Sequence, residues 1–268
     1  GVSIGLAGGA GSLNLTAGEL NKIYATNVRI GDSTSGNITI GGGAWSPNAN
    51  FANQGVLTLD SGASISQGNS IDLSTNQASL LLRDAASVTL TNASNQFTTI
   101  AGNTTGTISI VNAATLPLQI AALTDDLGSV SGLTGNGNIS LTTSGVGGLL
   151  TVNADIASLG HTITLASTGL TQADNTTIDA GNAAISINAG GGNIDLNKGT
   201  LTSTNSGSAI TLQNANTVAL GNITANSGTV TLGVGDITGA ISQHAGTSIS
   251  AATLTVNTAD MVNLDQGS

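Results

Sequence analysis

The chain has 268 residues with 14 acidic and four basic side chains, which gives a formal net charge of −10 at pH 7. Nucleic-acid binding needs clustered lysine and arginine, but the cations are scattered at Lys22, Arg29, Arg83 and Lys198, so this class is excluded. The absence of cysteine excludes disulfides and thiolate metal sites, and no apolar run approaches the ~20 residues that span a bilayer.

The composition argues against an ordinary globule and also against a disordered chain. Charged residues make up 7% and aromatic residues 1%, and there are 38 glycines, whereas roughly a quarter of a typical soluble domain is charged. Disordered chains are poor in β-branched residues, but isoleucine, valine, leucine and threonine recur regularly here. We therefore expect a folded chain with a narrow core.

The first 25 residues differ from the rest of the chain. Residues 1–16 alternate glycine with aliphatic residues, and no signal peptide or initiator methionine is present, so we expect a segment of a longer protein. Leu20, Ile23 and Tyr24 lie at i, i+3 and i+4, which predicts one short helical turn within residues 17–25. This turn either caps the structure or belongs to a loop.

A triplet in which two aliphatic residues flank threonine or serine recurs along the rest of the chain. Side chains alternate along a strand, so the outer two residues of each triplet face the core and the middle one faces solvent. Steps of 19 to 31 residues between triplets are typical of a solenoid, in which each repeat stacks on its neighbours. The triplets begin at Ile38, Leu57, Val88, Ile108, Ile139, Ile163, Ile185, Ile210, Val230 and Leu254.

Two stretches interrupt this alternation. Residues 41–55 contain Trp45 and predict a loop that leaves the coil, either to cover the core or to contact a sugar or another partner. Residues 111–130 contain Pro117, which cannot donate a backbone hydrogen bond to a sheet. A second loop excursion is predicted there.

Together these features predict an all-β fold, a parallel β-helix with about 24 residues per coil that forms a single repeat segment over residues 1–268. The pattern lacks the helical crossovers that an open parallel sheet needs, and an antiparallel sandwich is the structural alternative. The two ends of a β-helix are open edges, which must be capped, continued by more chain or stacked on another molecule. Because the pattern runs almost to Ser268, continuation is favoured.

We predict no catalytic, cofactor-binding or metal site. Asp125 and Asp126 are the one adjacent acidic pair, but adjacent residues on a strand face opposite sides of a sheet, whereas a glycosidase needs two facing carboxylates. A polysaccharide lyase needs an acidic cluster beside a cation, and none of the four cations lies in such a cluster of the sequence. The chain is therefore predicted not to be an enzyme.

Several other motifs have structural interpretations. Residues 190–196 resemble one copy of a calcium-binding nonapeptide, but such sites need tandem copies because successive turns share each ion. The glycine-rich segments 132–137 and 233–236 are followed by strand patterns and not by the helix that a nucleotide-binding loop needs. His161 and His244 lie in predicted turns without a partner histidine or cysteine, which argues against metal binding or nucleophilic catalysis.

The outward threonine and serine residues also permit an ice-binding hypothesis. Ice-binding solenoids present two parallel threonine columns, and here the position two residues on is not regularly threonine, as Gln213 and Gly233 illustrate. Pairing of hydroxyl side chains across the sheet, which stabilises the sheet itself, is the simpler interpretation.

Two stretches carry a resemblance to a known family. The first stretch comprises residues 16–21, 28–31 and 36–40, and the second comprises residues 235–243 and 249–256. In this style of repeat the chain resembles filamentous haemagglutinin-like bacterial adhesins, large exoproteins exported by two-partner secretion. The resemblance implies a right-handed parallel β-helix that forms a shaft on a Gram-negative cell surface and serves adhesion, aggregation or biofilm formation. The family's N-terminal secretion domain and Asn-Pro motif are not in this sequence, and no site residue carries over.

We therefore expect the structural shaft of a secreted, surface-exposed bacterial fibre or adhesin. The expected partners are adjacent segments or copies of the same protein stacked along the axis, a surface glycan or host receptor, and an outer-membrane transporter during secretion. We expect no nucleic acid, cofactor or membrane insertion. The first alternative is a subunit of a self-assembling extracellular filament with β-helices stacked end to end. An ice-binding solenoid and a polysaccharide-processing β-helix enzyme are further alternatives.

Overall fold

The computed structural model describes residues 1–42, 51–75, 77–113, 116–145 and 148–264, with the backbone alone for residues 51–53. It is a parallel β-solenoid of about nine turns with about 23 residues per turn, which confirms the predicted fold class. The alternative of an antiparallel sandwich is wrong, because strands of successive turns pair in parallel through one large sheet.

One short helix and a series of short strands make up the described part of the chain. The helix is α1 (Ala17–Leu20). The strands are β1 (Ile4–Leu6), β2 (Leu13–Leu15), β3 (Ala25–Asp32), β4 (Ile38–Ile40), β5 (Phe51–Ser61), β6 (Ser64–Gln67), β7 (Ser79–Arg83), β8 (Ser87–Leu90), β9 (Thr99–Thr104), β10 (Thr107–Asn112), β11 (Leu118–Ile120), β12 (Ala122–Asp125), β13 (Gly128–Ser131), β14 (Leu133–Gly135), β15 (Ile139–Thr143), β16 (Leu150–Val152), β17 (Ile156–Ala157), β18 (Ile163–Ala166), β19 (Leu170–Gln172), β20 (Thr177–Asp179), β21 (Ile185–Asn188), β22 (Ile194–Asp195), β23 (Thr200–Thr202), β24 (Ser208–Gln213), β25 (Val218–Leu220), β26 (Asn222–Ile237), β27 (Ile241–Gln243), β28 (Ile249–Thr258) and β29 (Val262–Asn263).

The predicted triplets stack in register and form the main core column. In β15, β18 and β21 each triplet pairs residue for residue with the triplet of the next turn, so aliphatic side chains lie on aliphatic side chains. Burying one such side chain contributes ~1.5–3 kcal/mol, and the stack joins these contributions into one core. The column contains Ile38, Ile65, Val88, Ile108, Ile139, Ile163, Ile185, Ile210 and Val230, all at most 1% exposed.

One predicted triplet belongs to a different column. Leu57 of β5 pairs with Val28 of β3 and with Leu80 of β7, while Ile65 of β6 takes the position above Ile38 in the main column. The triplet pattern alone does not separate Leu57 from the main column, because the solenoid has more than one aliphatic face and the triplet pattern is the same on each. The irregular steps of 19 and 31 residues on either side of Leu57 reflect this change of face.

Three strands complete a regular turn. Beyond the main column, β16, β19, β22 and β25 stack on a second face, and β17, β20, β23 and β26 stack on a third. Each face directs alternate residues inward, so three sets of aliphatic side chains meet along the axis. The core is narrow, as the composition predicts.

Two corners of the solenoid are each stabilised by a buried glutamine, with the same pattern of hydrogen bonds. The side-chain amide nitrogen of Gln172 donates to the carbonyl oxygen of Thr176 at 2.9 Å, and that of Gln243 donates to the carbonyl of Thr247 at 2.7 Å. Each threonine hydroxyl in turn donates back to the backbone across its loop, at 2.8 and 2.7 Å. These bonds give carbonyl groups of the loops a side-chain donor. The carbonyl of Thr176 also accepts from the backbone nitrogen of Thr200 at 2.8 Å.

We expect Gln172→Ala to lower the free energy of unfolding by about 1–3 kcal/mol, because the buried carbonyls of Thr176 and Thr200 lose a donor. Urea denaturation measures the change. The control is Gln213→Ala, since Gln213 has no side-chain hydrogen bond within the described residues and its loss is expected to change stability by less than about 0.5 kcal/mol. Equal losses for the two variants would contradict this role of Gln172.

The predicted helical turn is present as α1 and covers part of the core. Thr16 is its N-cap: the backbone nitrogen of Glu19 donates to the Thr16 hydroxyl at 3.2 Å, and the Glu19 carboxylate accepts from the Thr16 backbone nitrogen at 2.9 Å. This capping box satisfies donors that the helix leaves free. Leu20, 5% exposed, packs into the core cluster.

Among the described residues no helix is long and apolar enough to cross a membrane.

The last turn presents an open edge. Strand β28 pairs with β26, and within the described residues no strand pairs with its other edge. Leu254 is 38% exposed and Val262 is 44% exposed, although their counterparts on inner turns are buried. An unpaired edge of this kind offers backbone donors and acceptors to a further strand.

The two predicted loop excursions have different outcomes. Residues 43–50, with Trp45, lie outside the described residues, and strand β5 begins at Phe51. In the 111–130 stretch, β11 follows directly after Pro117 as a regular core strand. The chain then leaves the solenoid wall as the antiparallel hairpin of β12 and β13.

Candidate functional site: the face beneath the β12–β13 hairpin

The hairpin of β12 and β13 lies on an outward face of the solenoid. In β7, Leu80 and Leu82 point into the main core, so the side chain of Leu81 points outward, yet Leu81 is 0% exposed. Apolar side chains of the hairpin cover it and form a second, smaller apolar cluster. This cluster consists of Val56, Leu81, Ala101, Leu123 and Val130.

A buried ion pair fixes the turn of the hairpin to β7. Two nitrogens of the Arg83 guanidinium bind the two carboxylate oxygens of Asp125 at 2.9 and 2.7 Å, and the guanidinium also donates to the carbonyl of Gly128 at 2.8 Å. Thr58 of β5 donates to the same carboxylate at 3.0 Å. The side chains of Arg83 and Asp125 are 15% and 2% exposed. Although burial raises the pKa of Asp125, the hydrogen bonds from Arg83 hold it below its usual value.

A second, more exposed ion pair involves the next residue of the turn. Arg29 of β3 donates to the Asp126 carboxylate at 2.9–3.2 Å and to the carbonyl of Gly31 at 2.8 Å. The hydrogen bond from Arg29 lowers the pKa of Asp126, and it raises the pKa of Arg29 itself. Because Asp126 is largely exposed, water screens this pair, and its contribution to stability is smaller than that of the buried pair.

Asp60 lies beneath both ion pairs and is poorly neutralised. It is 1% exposed, one of its carboxylate oxygens has no hydrogen-bond donor, and the other lies 3.7 Å from an Arg29 nitrogen. Burial and the neighbouring carboxylate of Asp84 raise the pKa of Asp60 from 3.8 to about 6. Asp60 is therefore a buried carboxyl group that ionises close to neutral pH.

We expect Asp60→Asn to increase stability at pH 7 by up to about 3 kcal/mol and to have little effect at pH 4. The folded protein binds a proton at Asp60 more tightly than the unfolded chain does, so wild-type stability falls as the pH rises from about 4 to about 6. Urea denaturation at several pH values measures this difference. The control Asp126→Asn is expected to give no gain at pH 7, because the pKa of Asp126 is lowered. A pH-independent effect of Asp60→Asn would contradict the assignment.

The structure corrects two predictions about these residues. Arg29 and Arg83 do lie among carboxylates, whereas the sequence pattern placed no cation in an acidic cluster. Asp125 and Asp126 do not diverge from a flat strand; they sit at the turn of the hairpin, and both bind arginines of the solenoid wall. Since the hairpin covers Asp60 and Asp125, the contacts of this cluster bind the hairpin to the wall.

The two histidines lie apart from this cluster and from each other. His244 pairs with Asp195 at 2.8 Å, two turns away along the axis. Both side chains are about one-third or more exposed. His161 lies in a bend between β17 and β18, where its carbonyl accepts a hydrogen bond from Ser158.

The glycine-rich stretch 190–196 consists of a corner at residues 190–193 and strand β22. Gly190 and Gly191 have φ angles of 54° and 87°, which residues with side chains rarely adopt. Asp195 of β22 binds His244 and the backbone nitrogen of Asn197. Within the described ranges no group of three or more acidic, histidine or cysteine side chains is arranged to hold a metal ion.

The outward hydroxyl residues of the triplets form one ladder. Ser140, Thr164 and Ser186 pair directly across three successive turns, and the ladder continues through Thr211 and Thr231. The neighbouring outward position contains Asn188 paired with Gln213, so it does not form a second threonine column there.

Comparison with known proteins gives no family assignment. No family model, no curated protein and no solved structure matches the chain. The identity that the structure itself supports is a parallel β-solenoid, a fold compatible with the shaft of a filamentous haemagglutinin-like exoprotein.

Proposed function

We propose that this chain is a segment of the structural shaft of a secreted, surface-exposed bacterial fibre or adhesin used in attachment, aggregation or biofilm formation. The observation that carries the proposal is the uninterrupted aliphatic column from Ile38 to Val230, stacked in register over successive turns. Such a stack extends in one direction and gives a rod whose length grows with the number of turns.

The outer surface fits a shaft outside the cell. Threonine, serine and asparagine side chains face outward and pair along the axis, as Asn188 with Asn214 and Asn193 with Asn216 do. The chain has no cysteine, so its stability depends little on redox conditions. The style of repeat further supports a Gram-negative exoprotein, with an outer-membrane transporter as its partner during secretion.

Surface labelling of bacteria that produce this chain tests the proposal. Antibodies raised against the purified chain are expected to label intact cells, and mild protease treatment of the cells is expected to remove the label. A cytoplasmic protein is the control, because it must stay unlabelled until the cells are permeabilised. Label that appears only after permeabilisation would contradict a surface fibre.

A second candidate is a subunit of a filament in which rods stack end to end. The observation that favours it is the open edge of β28 and β29, where Leu254, Met261 and Val262 are 38%, 68% and 44% exposed. Electron microscopy of the purified chain over a concentration series distinguishes the two. Long rods of constant width indicate a filament subunit, whereas isolated short rods at every concentration indicate a segment of a longer shaft.

A further inference from the structure

A groove lies beside the hairpin, on the side away from the two ion pairs. It has a volume of about 500 Å³ and extends from the bulged part of β5 across the starts of β7 and β9 to β11 and β12. This volume lies within the range of small-molecule sites in proteins, ~300–1,000 Å³. A structural shaft does not need such a groove. The chemistry of the groove lining therefore points to ligand binding, which is a role beyond the proposed function.

The lining of the groove is uncharged and can form many hydrogen bonds. Side-chain amides of Gln54 and Gln77 and hydroxyls of Ser79 and Thr99 line it, together with the apolar surfaces of Leu116 and Pro117. Amide and hydroxyl groups both donate and accept hydrogen bonds. No charged side chain belongs to the described part of this lining, which disfavours charged ligands.

Three of these polar side chains have no hydrogen-bond partner among the described residues. Within the described part of the chain, the side chains of Gln54, Ser79 and Thr99 make no hydrogen bond, whereas Thr98 next to them already donates to the carbonyls of Gln77 and Ala78. Ser79 is 7% exposed. Because it also lines the groove, the groove is where its hydroxyl can reach a ligand. A ligand that completes the hydrogen bonds of the buried Ser79 and the half-buried Thr99 gains affinity from them, whereas the Gln54 side chain is exposed.

The two glutamines that line the groove both have an unusual backbone conformation. Gln54 has a φ angle of 65° and Gln77 one of 51°, both in the left-handed region that residues with side chains seldom occupy. Gln54 lies in a bulge, because β5 advances five residues, from Phe51 to Val56, where β3 advances two. Bulges often redirect a side chain next to a binding site.

We propose that this groove binds an uncharged saccharide. Sugar hydroxyls both donate and accept hydrogen bonds, so they match the free amides and hydroxyls, and the apolar C–H face of a sugar matches Leu116 and Pro117. An extended peptide would instead seek an unpaired strand edge. Strands β7 and β9 under the groove offer none, since β7 pairs with both β5 and β9, and β9 pairs on its other edge with β11. Within the described residues, an unpaired edge beside the groove belongs to the four-residue strand β12, which pairs with β13 alone.

Isothermal titration calorimetry of the intact chain with neutral hexasaccharides tests this proposal. The probes are maltohexaose, cellohexaose and hexa-N-acetylchitohexaose at millimolar concentrations. At least one is expected to bind, and Gln54→Ala and Ser79→Ala are each expected to weaken its binding about three- to tenfold, the effect of losing one hydrogen bond. The control Gln213→Ala, on a distant turn, is expected to bind as the wild type does.

Circular dichroism melting of each variant shows whether the fold is retained. Ser79→Ala removes one oxygen atom that has no hydrogen-bond partner among the described residues, so its melting temperature is expected to stay within a few degrees of the wild-type value. Two results would overturn the proposal: no binding of any of the three hexasaccharides, or binding that neither groove variant weakens. Neither result affects the expected surface labelling. The saccharide proposal and the proposed fibre function are therefore tested independently.

Discussion

Arg83→Ala is expected to lower the free energy of unfolding by about 3–5 kcal/mol, the typical cost of removing one partner from a buried ion pair. The substitution leaves the 2%-exposed Asp125 carboxylate without its bidentate partner and removes the hydrogen bond to Gly128. It also withdraws positive charge from the neighbourhood of Asp60. The hairpin of β12 and β13 therefore loses the contact that fixes its turn to β7.

Urea denaturation gives the global effect of Arg83→Ala, and hydrogen exchange of residues 122–131 gives the local one. We expect the amides of the hairpin to lose more protection than those of β18 and β21, because the lost contact is local to the hairpin. The matched control is Asp126→Ala, whose exposed ion pair with Arg29 is screened by water and whose loss is expected to have a much smaller effect. Equal effects of the two variants, or unchanged exchange in the hairpin, would contradict the claim that the Arg83–Asp125 ion pair fixes the hairpin to β7.

Ile163→Ala is expected to lower the free energy of unfolding by about 2–5 kcal/mol. Ile163 is fully buried between Ile139 and Ile185 in the main column, so the cavity left by alanine has core side chains above and below it. Leu254 occupies the same column at the open edge and is 38% exposed. Leu254→Ala is therefore expected to cost about 1 kcal/mol or less, because less apolar surface is buried there.

Urea denaturation of the two variants, with Thr164→Ala as a third, measures this gradient along the axis. Thr164 is exposed and faces away from the core, so its truncation is expected to change stability by less than about 0.5 kcal/mol. A loss for Leu254→Ala as large as that for Ile163→Ala would mean that the last turn is covered in solution, as it would be in a stacked rod.

Much of the fold could be predicted from the sequence because a β-solenoid repeats one local pattern. Alternating aliphatic and hydroxyl residues determine which side chains face inward, and the spacing of the triplets determines the length of a turn. What the pattern leaves open is the face to which a given triplet belongs. Leu57-Thr58-Leu59 looks the same as Ile38-Thr39-Ile40, and the strand register alone separates the two columns.

The cluster beneath the hairpin was harder to predict because its members are distant in sequence. Arg29 and Asp126 are 97 residues apart, and Arg83 and Asp125 are 42 apart. Spacing along the chain gives no sign of these contacts, since they depend on which turns stack. One local signal was available: in Leu80-Leu81-Leu82 the middle residue must face outward, and an outward leucine needs a cover.

The glutamine corners had a local signal as well. Gln172 and Gln243 each follow an aliphatic residue and a threonine or serine, and each precedes a threonine by four residues. In both cases this threonine provides the carbonyl that the glutamine amide binds. A repeat search that includes polar residues would have found this corner, whereas a search restricted to aliphatic triplets does not.

Disulfide cross-linking tests the in-register parallel stacking most directly, because the chain has no cysteine of its own. Thr164 and Ser186 face outward on adjacent turns and pair directly, at the ~4.8 Å strand spacing that a disulfide can bridge. Thr211 lies one turn further along, about 9.6 Å from Thr164 by the same spacing. Under mild oxidation the double variant Thr164→Cys/Ser186→Cys is expected to cross-link rapidly and Thr164→Cys/Thr211→Cys to stay reduced. Equal rates for the two pairs would contradict the β-solenoid.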